Sequence, residues 1–131
     1  MPLDQYQREI NYLRISVTDH CNLRCVYCMP LNGLKFLPQE DLLTASEIAD
    51  IVGVAVDAGF RKFRLTGGEP TLRHDIVEIV EKIGRIKGVG DLAMTTNGIL
   101  LPTLATSSSP ILQGLSQSYT SYLPICFGST E

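Results

Sequence analysis

Between Tyr12 and Val17 the chain alternates polar and apolar positions, with Leu13, Ile15 and Val17 falling on one side. A period of two is the mark of a strand with one buried face, and a strand is predicted here. A long loop carrying cysteines follows. At Thr44-Ala45-Ser46-Glu47 the spacing of hydroxyl and carboxylate is that of a capping box, in which each side chain satisfies the other's orphan amide, so a helix is predicted to open there. Ile48, Ile51, Val52 and Ala55 then recur at helical spacing, and Gly59 stands where a left-handed C-terminal cap belongs. Lys62 to Thr66 reads as the next strand, running into Gly67-Gly68-Glu69-Pro70, whose glycines admit backbone angles closed to other residues. A second helix is predicted from about Asp75, with Ile76, Val77, Ile79, Val80, Ile83 and Ile86 as its apolar positions. Leu92 to Thr95 reads as a third strand that ends in a turn at Thr96-Asn97-Gly98.

Strand, loop, helix, strand, helix, strand makes two successive crossover units, which build a parallel sheet of the α/β class. Three strands and two helices are too few to close a barrel. Ligands of such sheets gather at the C-terminal ends of the strands. The cysteines follow the first strand, Gly-Gly-Glu-Pro the second and Thr-Asn-Gly the third, so the three motifs are expected to share one site.

Length and composition narrow the function. The 131 residues suit one domain, and 44% hydrophobic content is enough for a buried core. With a net charge of -3 the chain lacks the positive field that non-specific nucleic-acid binding relies on, although placed arginines still suit a nucleotide. There is neither a long apolar run nor an N-terminal apolar segment of the secretory kind, so a cytoplasmic protein with no membrane span is expected.

Of four cysteines, Cys21, Cys25 and Cys28 crowd together and Cys126 lies near the end. A disulfide framework would spread them out and needs an oxidising compartment, so metal binding is the better reading. Three thiolates on a short non-helical loop suit an iron-sulfur cluster with one iron left open to an exogenous ligand. Structural zinc, with His20 as a fourth ligand, is the competing reading; His20 adjoins Cys21, whereas closed zinc sites pair their ligands on separated turns.

Cys21-Asn22-Leu23-Arg24-Cys25-Val26-Tyr27-Cys28 resembles the signature of the radical S-adenosylmethionine (SAM) superfamily, and Gly67-Gly68-Glu69-Pro70 resembles its second motif. The longer strings LRISVTDHCNLRCVYCMP, FRLTGGEPTLR and TTNGILL are similar to the GTP-cyclising branch of that superfamily, which serves molybdenum cofactor biosynthesis, over roughly positions 8 to 105. The resemblance implies the N-terminal part of a partial (βα)6 radical SAM barrel. It implies that Cys21, Cys25 and Cys28 hold a 4Fe-4S cluster whose open iron chelates SAM, and that the reduced cluster cleaves SAM to a 5′-deoxyadenosyl radical. In the cyclising branch that radical takes a ribose hydrogen from GTP, and the ribose carbon radical then attacks the guanine ring. Tyr27 and Gly68 match positions that touch SAM, with missing side chains at the glycines letting the methionine part approach, and Glu69 stands where a carboxylate faces the cofactor's ammonium group. Arg14, Arg64 and Thr95 match GTP-binding positions. An arginine fork suits phosphate or guanine oxygens, and a strand-end hydroxyl suits a polar ligand edge.

Each has a plainer alternative: solvated strand arginines, a β-branched strand residue at Thr95, a packing tyrosine at Tyr27, turn glycines at Gly67 and Gly68, and a capping carboxylate at Glu69. His74 and Asp75 read as the start of the second helix. A superfamily member with another substrate, and a non-catalytic zinc or iron-sulfur module, remain as alternatives for the whole.

The pattern changes after about Ala105. From Leu92 to Thr130 there is no Asp, Glu, Lys or Arg, so 24 of the 25 charged residues precede that stretch, while seven of the nine serines fall within it. The tail has no clear period, lacks the second cysteine cluster and the paired C-terminal glycines of the cyclising branch, and contains Cys126 as a fortuitous thiol. Residues 1–105 are expected to be a truncated radical SAM core and 106–131 an irregular, non-matching tail, as a frame-shift would leave.

Overall fold

The computed structural model describes residues 2–22, 24–25, 35–100, 102–104 and 126–127, with Arg24–Cys25 and Cys126–Phe127 described at the backbone. Strand β1 is Tyr12–Ser16, β2 Arg24–Cys25, β3 Lys62–Thr66, β4 Asp91–Met94 and β5 Cys126–Phe127; helix α1 is Ala45–Asp57 and α2 Ile76–Gly84. β1, β3 and β4 form a parallel three-stranded sheet in that spatial order.

Sequence chemistry sets the boundaries. Thr44 Oγ1 accepts from Glu47 N while Glu47 Oε2 accepts from Thr44 N, completing the predicted capping box. These bonds hold the Glu47 carboxyl below its ordinary range. α1 ends in a Schellman motif: Gly59 takes φ 104°, its amide donates to Val56 O, and Phe60 N donates to Ala55 O.

α1 buries Ala45, Ile48, Val52, Ala55 and Val56, and α2 buries Ile76, Ile79, Val80 and Ile83. Both stripes join one cluster with Val17, Phe63, Leu65, Leu92 and Met94, and Leu13 and Ile15 pack against it. Burying each large member fully is worth about 1.5–3 kcal/mol. Ile51, expected on the buried stripe, is 43% exposed. It lies roughly 90° round the helix from the middle of that stripe, so it falls on the margin rather than in the core.

Both helices thus cover one sheet face, and each crossover adds its strand on the same side as the last. That is the winding of a (βα) barrel, where a doubly wound sheet would reverse direction and cover both faces. The fold is α/β, three parallel strands with their helices, the arrangement expected of the first part of a (βα) barrel. The other sheet face carries Arg14, Arg64 and Thr95, and among the described residues no helix lies over it.

β2 and β5 pair antiparallel, Arg24 opposite Phe127 and Cys25 opposite Cys126. β5 falls in the tail expected to be irregular, of which Cys126–Phe127 are the described residues. A pairing that short leaves no readable period in the sequence.

Candidate functional site

The β1–β3 ladder does not stop at the strand ends. Val17 N donates to Thr66 O, Gly68 N to Thr18 O (2.8 Å) and Glu69 N to His20 O (2.7 Å), so Thr18-Asp19-His20 runs beside Gly67-Gly68-Glu69 up to Cys21. A Cβ on Gly67, whose φ is 143°, would collide with the Thr18 backbone, and one on Gly68 with the carbonyls of His20 and Asp19. The missing side chains are expected, from the resemblance, to let a ligand approach. The Cβ directions are in fact filled by the segment that leads into the cysteines, so both glycines are required before any ligand arrives.

Glu69 is 1% exposed. Its Oε1 accepts from Thr71 Oγ1 (2.5 Å), Thr96 Oγ1 (2.6 Å) and Thr71 N (3.3 Å), and its Oε2 from Asn97 N (2.7 Å). The carboxylate caps the short turn Pro70–Leu72 and fastens the end of β3 to the turn after β4. Four donors turned inward occupy it, so its expected direction toward a cofactor ammonium is not the one its side chain takes. Glu69→Ala leaves these four donors without their acceptor, and unfolding titrations should show a loss of about 3 kcal/mol, set by the cost of unsatisfied buried donors. An unchanged midpoint would show that the network carries no load.

The same turn reaches the cysteine loop. Asn97 Nδ2 donates to Asn22 Oδ1 at 2.7 Å, and Asn22 lies between Cys21 and Cys25. Gly98 takes φ 82°, and its amide donates to Thr96 Oγ1. Hydrogen bonds therefore connect all three strand-end motifs, as their order along the chain implied. Cys21 is half-buried at this junction, and the Cys25 backbone lies in β2. Tyr27 and Cys28 lie outside the described residues. His20, the alternative zinc ligand, stacks on Phe36 with ring centroids 4.8 Å apart, and its Nδ1 lies 2.9 Å from Asp19 Oδ1. That approach lacks the alignment of a hydrogen bond, whereas Asp19 Oδ2 accepts from Leu37 N at 2.8 Å. Among the described residues no three His, Cys, Asp or Glu side chains gather into a metal site.

On the open sheet face Arg14 and Arg64 are register partners in adjacent strands. Paired residues of a parallel ladder point the same way, and neighbouring strands lie about 4.8 Å apart, so two cationic stems stand side by side. Arg64 Nη1 lies 3.4 Å from Thr95 Oγ1, a long hydrogen bond that brings together two of the three residues expected to bind nucleotide. Arg64 is half-buried and Arg14 exposed. Like charges at this spacing favour an anion between them.

Sequence reasoning missed Asn22, Thr96 and Arg73. Arg73 is 8% exposed, and its guanidinium forms a bidentate pair with Asp75, Nε to Oδ1 at 2.8 Å and Nη2 to Oδ2 at 2.7 Å. That hydrogen-bonded guanidinium holds the Asp75 carboxyl below its ordinary range. Asp75 precedes α2 as expected, but its carboxylate serves Arg73 and makes no cap bond. His74 Nδ1 bonds Gln39 Nε2 at 2.7 Å. The signal for Arg73 was its place in FRLTGGEPTLR, four residues after the carboxylate of Glu69. Among the described residues no helix is long and apolar enough to cross a membrane.

The model of the radical SAM superfamily matches residues 15–107. The GTP 3′,8-cyclase of Pelotomaculum thermopropionicum is 56% identical over 102 residues, 78% of this chain and 31% of that protein. Those of Desulforamulus reducens and Thermodesulfovibrio yellowstonii are each 52% identical, over 104 and 103 residues, 79% and 78% of this chain and 32% of each relative. The chain thus spans about a third of the length of the curated relatives it matches. With the matched region running from β1 past the turn after β4, and the three motifs tied at one end of a barrel-wound sheet, the chain belongs to the radical SAM superfamily.

Proposed function

We propose that this chain carries the cluster- and SAM-binding portion of a GTP 3′,8-cyclase, a lyase of molybdenum cofactor biosynthesis, with residues 1–105 as its core domain and 106–131 as a tail. The observation that carries the reading is the hydrogen-bonded junction of the three strand-end motifs, joined on the neighbouring open face by Arg14, Arg64 and Thr95.

The residues present fit a 4Fe-4S cluster and SAM. Cys21, Cys25 and Cys28 are thiols of the type such clusters use, and Cys21 stands where the backbone of His20 is clamped against Glu69. When bound, the cluster and SAM together supply a carbon-centred oxidant that can abstract hydrogen from an unactivated position. The protein's own part is placement. Gly67 and Gly68 hold the cysteine loop against the end of β3, and Glu69 reaches SAM through backbone groups while its carboxylate holds the turn after β4. Tyr27 holds the sequence position expected to touch SAM.

Arg14 and Arg64 take anionic or carbonyl oxygens of GTP, and the Thr95 hydroxyl orients Arg64 and meets a polar edge of the nucleotide. Expected affinity follows from this. Arg64→Ala, and Arg14→Ala separately, should weaken GTP binding about tenfold or more in calorimetry, since a charge-assisted hydrogen bond is worth roughly 1.5–3 kcal/mol. Retention of full affinity in both variants overturns the substrate assignment and leaves the superfamily membership standing. No role for nucleic acid or membrane enters this reading, and a cytoplasmic site of action accords with it.

A further inference from the structure

The cysteines hang from a loop whose two limbs leave β1 and enter α1, and one buried side chain holds both. Arg73 Nη1 donates to Val17 O at 2.8 Å, the carbonyl just past β1, and Nη2 donates to Leu43 O at 3.0 Å, the carbonyl next but one before α1. The remaining guanidinium edge is locked by the Asp75 fork. Two further links follow along the limbs: Leu37 N to Asp19 Oδ2, and the stack of His20 on Phe36. A cleft of about 290 Å³ lies at this neck, lined by Thr18, His20, Gln39, Leu42, Leu72 and Arg73.

From this we infer that Arg73 is a positioning residue for the cysteine-bearing segment: its guanidinium ties together the two limbs between which Cys21, Cys25 and Cys28 lie in the chain and so readies the thiols for metal. The chemistry requires arginine. A planar fork serves two carbonyls and a carboxylate in fixed directions at once, whereas the lysine ammonium offers three donors on a flexible stem and no edge to match Asp75. Placement also matters. Arg73 closes the turn that begins at Glu69, its amide donating to Pro70 O, so the network that orders the end of β3 also sets the guanidinium.

The consequence for metal rests on the cluster reading above, but the first test does not. In metal-free protein, Arg73→Gln should speed alkylation of Cys21 and hydrogen exchange at the Leu37, Gly68 and Glu69 amides about tenfold, the effect of losing one charge-assisted hydrogen bond. A core substitution, Ile83→Val, chosen to lower global stability without touching the neck, should leave both nearly unchanged. Arg73→Lys should not restore them. Asp75→Asn keeps the guanidinium and both carbonyl bonds, and should give a smaller rise; it also serves if Arg73→Gln does not fold. After reconstitution with iron and sulfide, Arg73→Gln should retain less iron than the parent chain. Equal alkylation and exchange in the neck and core variants, or full rescue by lysine, overturns the inference. Failure of the parent chain itself to take up iron overturns the cluster reading instead and leaves the neck result intact.

Discussion

Replacing Gly68 with alanine is expected to cost about 3 kcal/mol in unfolding free energy, the upper range for overpacking. The added methyl meets the carbonyls of His20 and Asp19, which are backbone atoms and cannot turn away as a side chain would. Relief requires the Thr18–His20 segment to move off the end of β3, breaking Gly68 N to Thr18 O and Glu69 N to His20 O and displacing Cys21 with them. Faster amide exchange at Gly68 and Glu69 should accompany the loss. Gly53→Ala is the internal control: in α1 its new Cβ meets nothing within 4 Å, and relief of glycine's entropy cost should stabilise by about 0.5–1 kcal/mol. Opposite signs at the two glycines are the expected result; similar small effects at both would refute the close approach.

Loss of a cluster thiol should have the largest effect on metal. Cys25→Ala is expected to drop bound iron from about four per chain to nearly none after anaerobic reconstitution, because a cluster with three protein thiolates does not tolerate two. The fold should survive, since Cys25 lies outside the helix-covered sheet and its hydrophobic cluster. Cys126→Ala tests the register partner. Cys126 faces Cys25 across β2 and β5, and if it is a bystander its removal leaves iron unchanged. Iron that persists without Cys25 and vanishes without Cys126 would reassign the ligand set.

The strands and helices were legible because each carries one buried face over several residues, and because Thr44, Glu47 and Gly59 mark the ends of α1 with their own chemistry. Single positions at a stripe's margin were not: Ile51 has the same residue type as Ile48 but a different angular place. Strand-end motifs identified the site, yet the sequence could not say what each residue does there. Gly67 and Gly68 read as a cradle for a ligand, and the space beside them belongs to the residues before Cys21. Glu69 read as a cofactor contact, and its carboxylate is engaged by Thr71, Thr96 and Asn97. Arg73 went unnoticed because its two carbonyl partners, Val17 and Leu43, are far from it in sequence and backbone acceptors leave no side-chain signature. The pairing of Cys126–Phe127 with Arg24–Cys25 was equally silent, being two residues long.

The proposed function requires the cysteine loop to assemble a SAM-responsive cluster. Anaerobic reconstitution with iron and sulfide, followed by iron and sulfide counting and electron paramagnetic resonance of the reduced protein with and without SAM, tests this most directly. About four irons with matching sulfide, and a signal that shifts when SAM is added, is the predicted result. Zinc without labile sulfide, or a cluster whose signal ignores SAM, would contradict it.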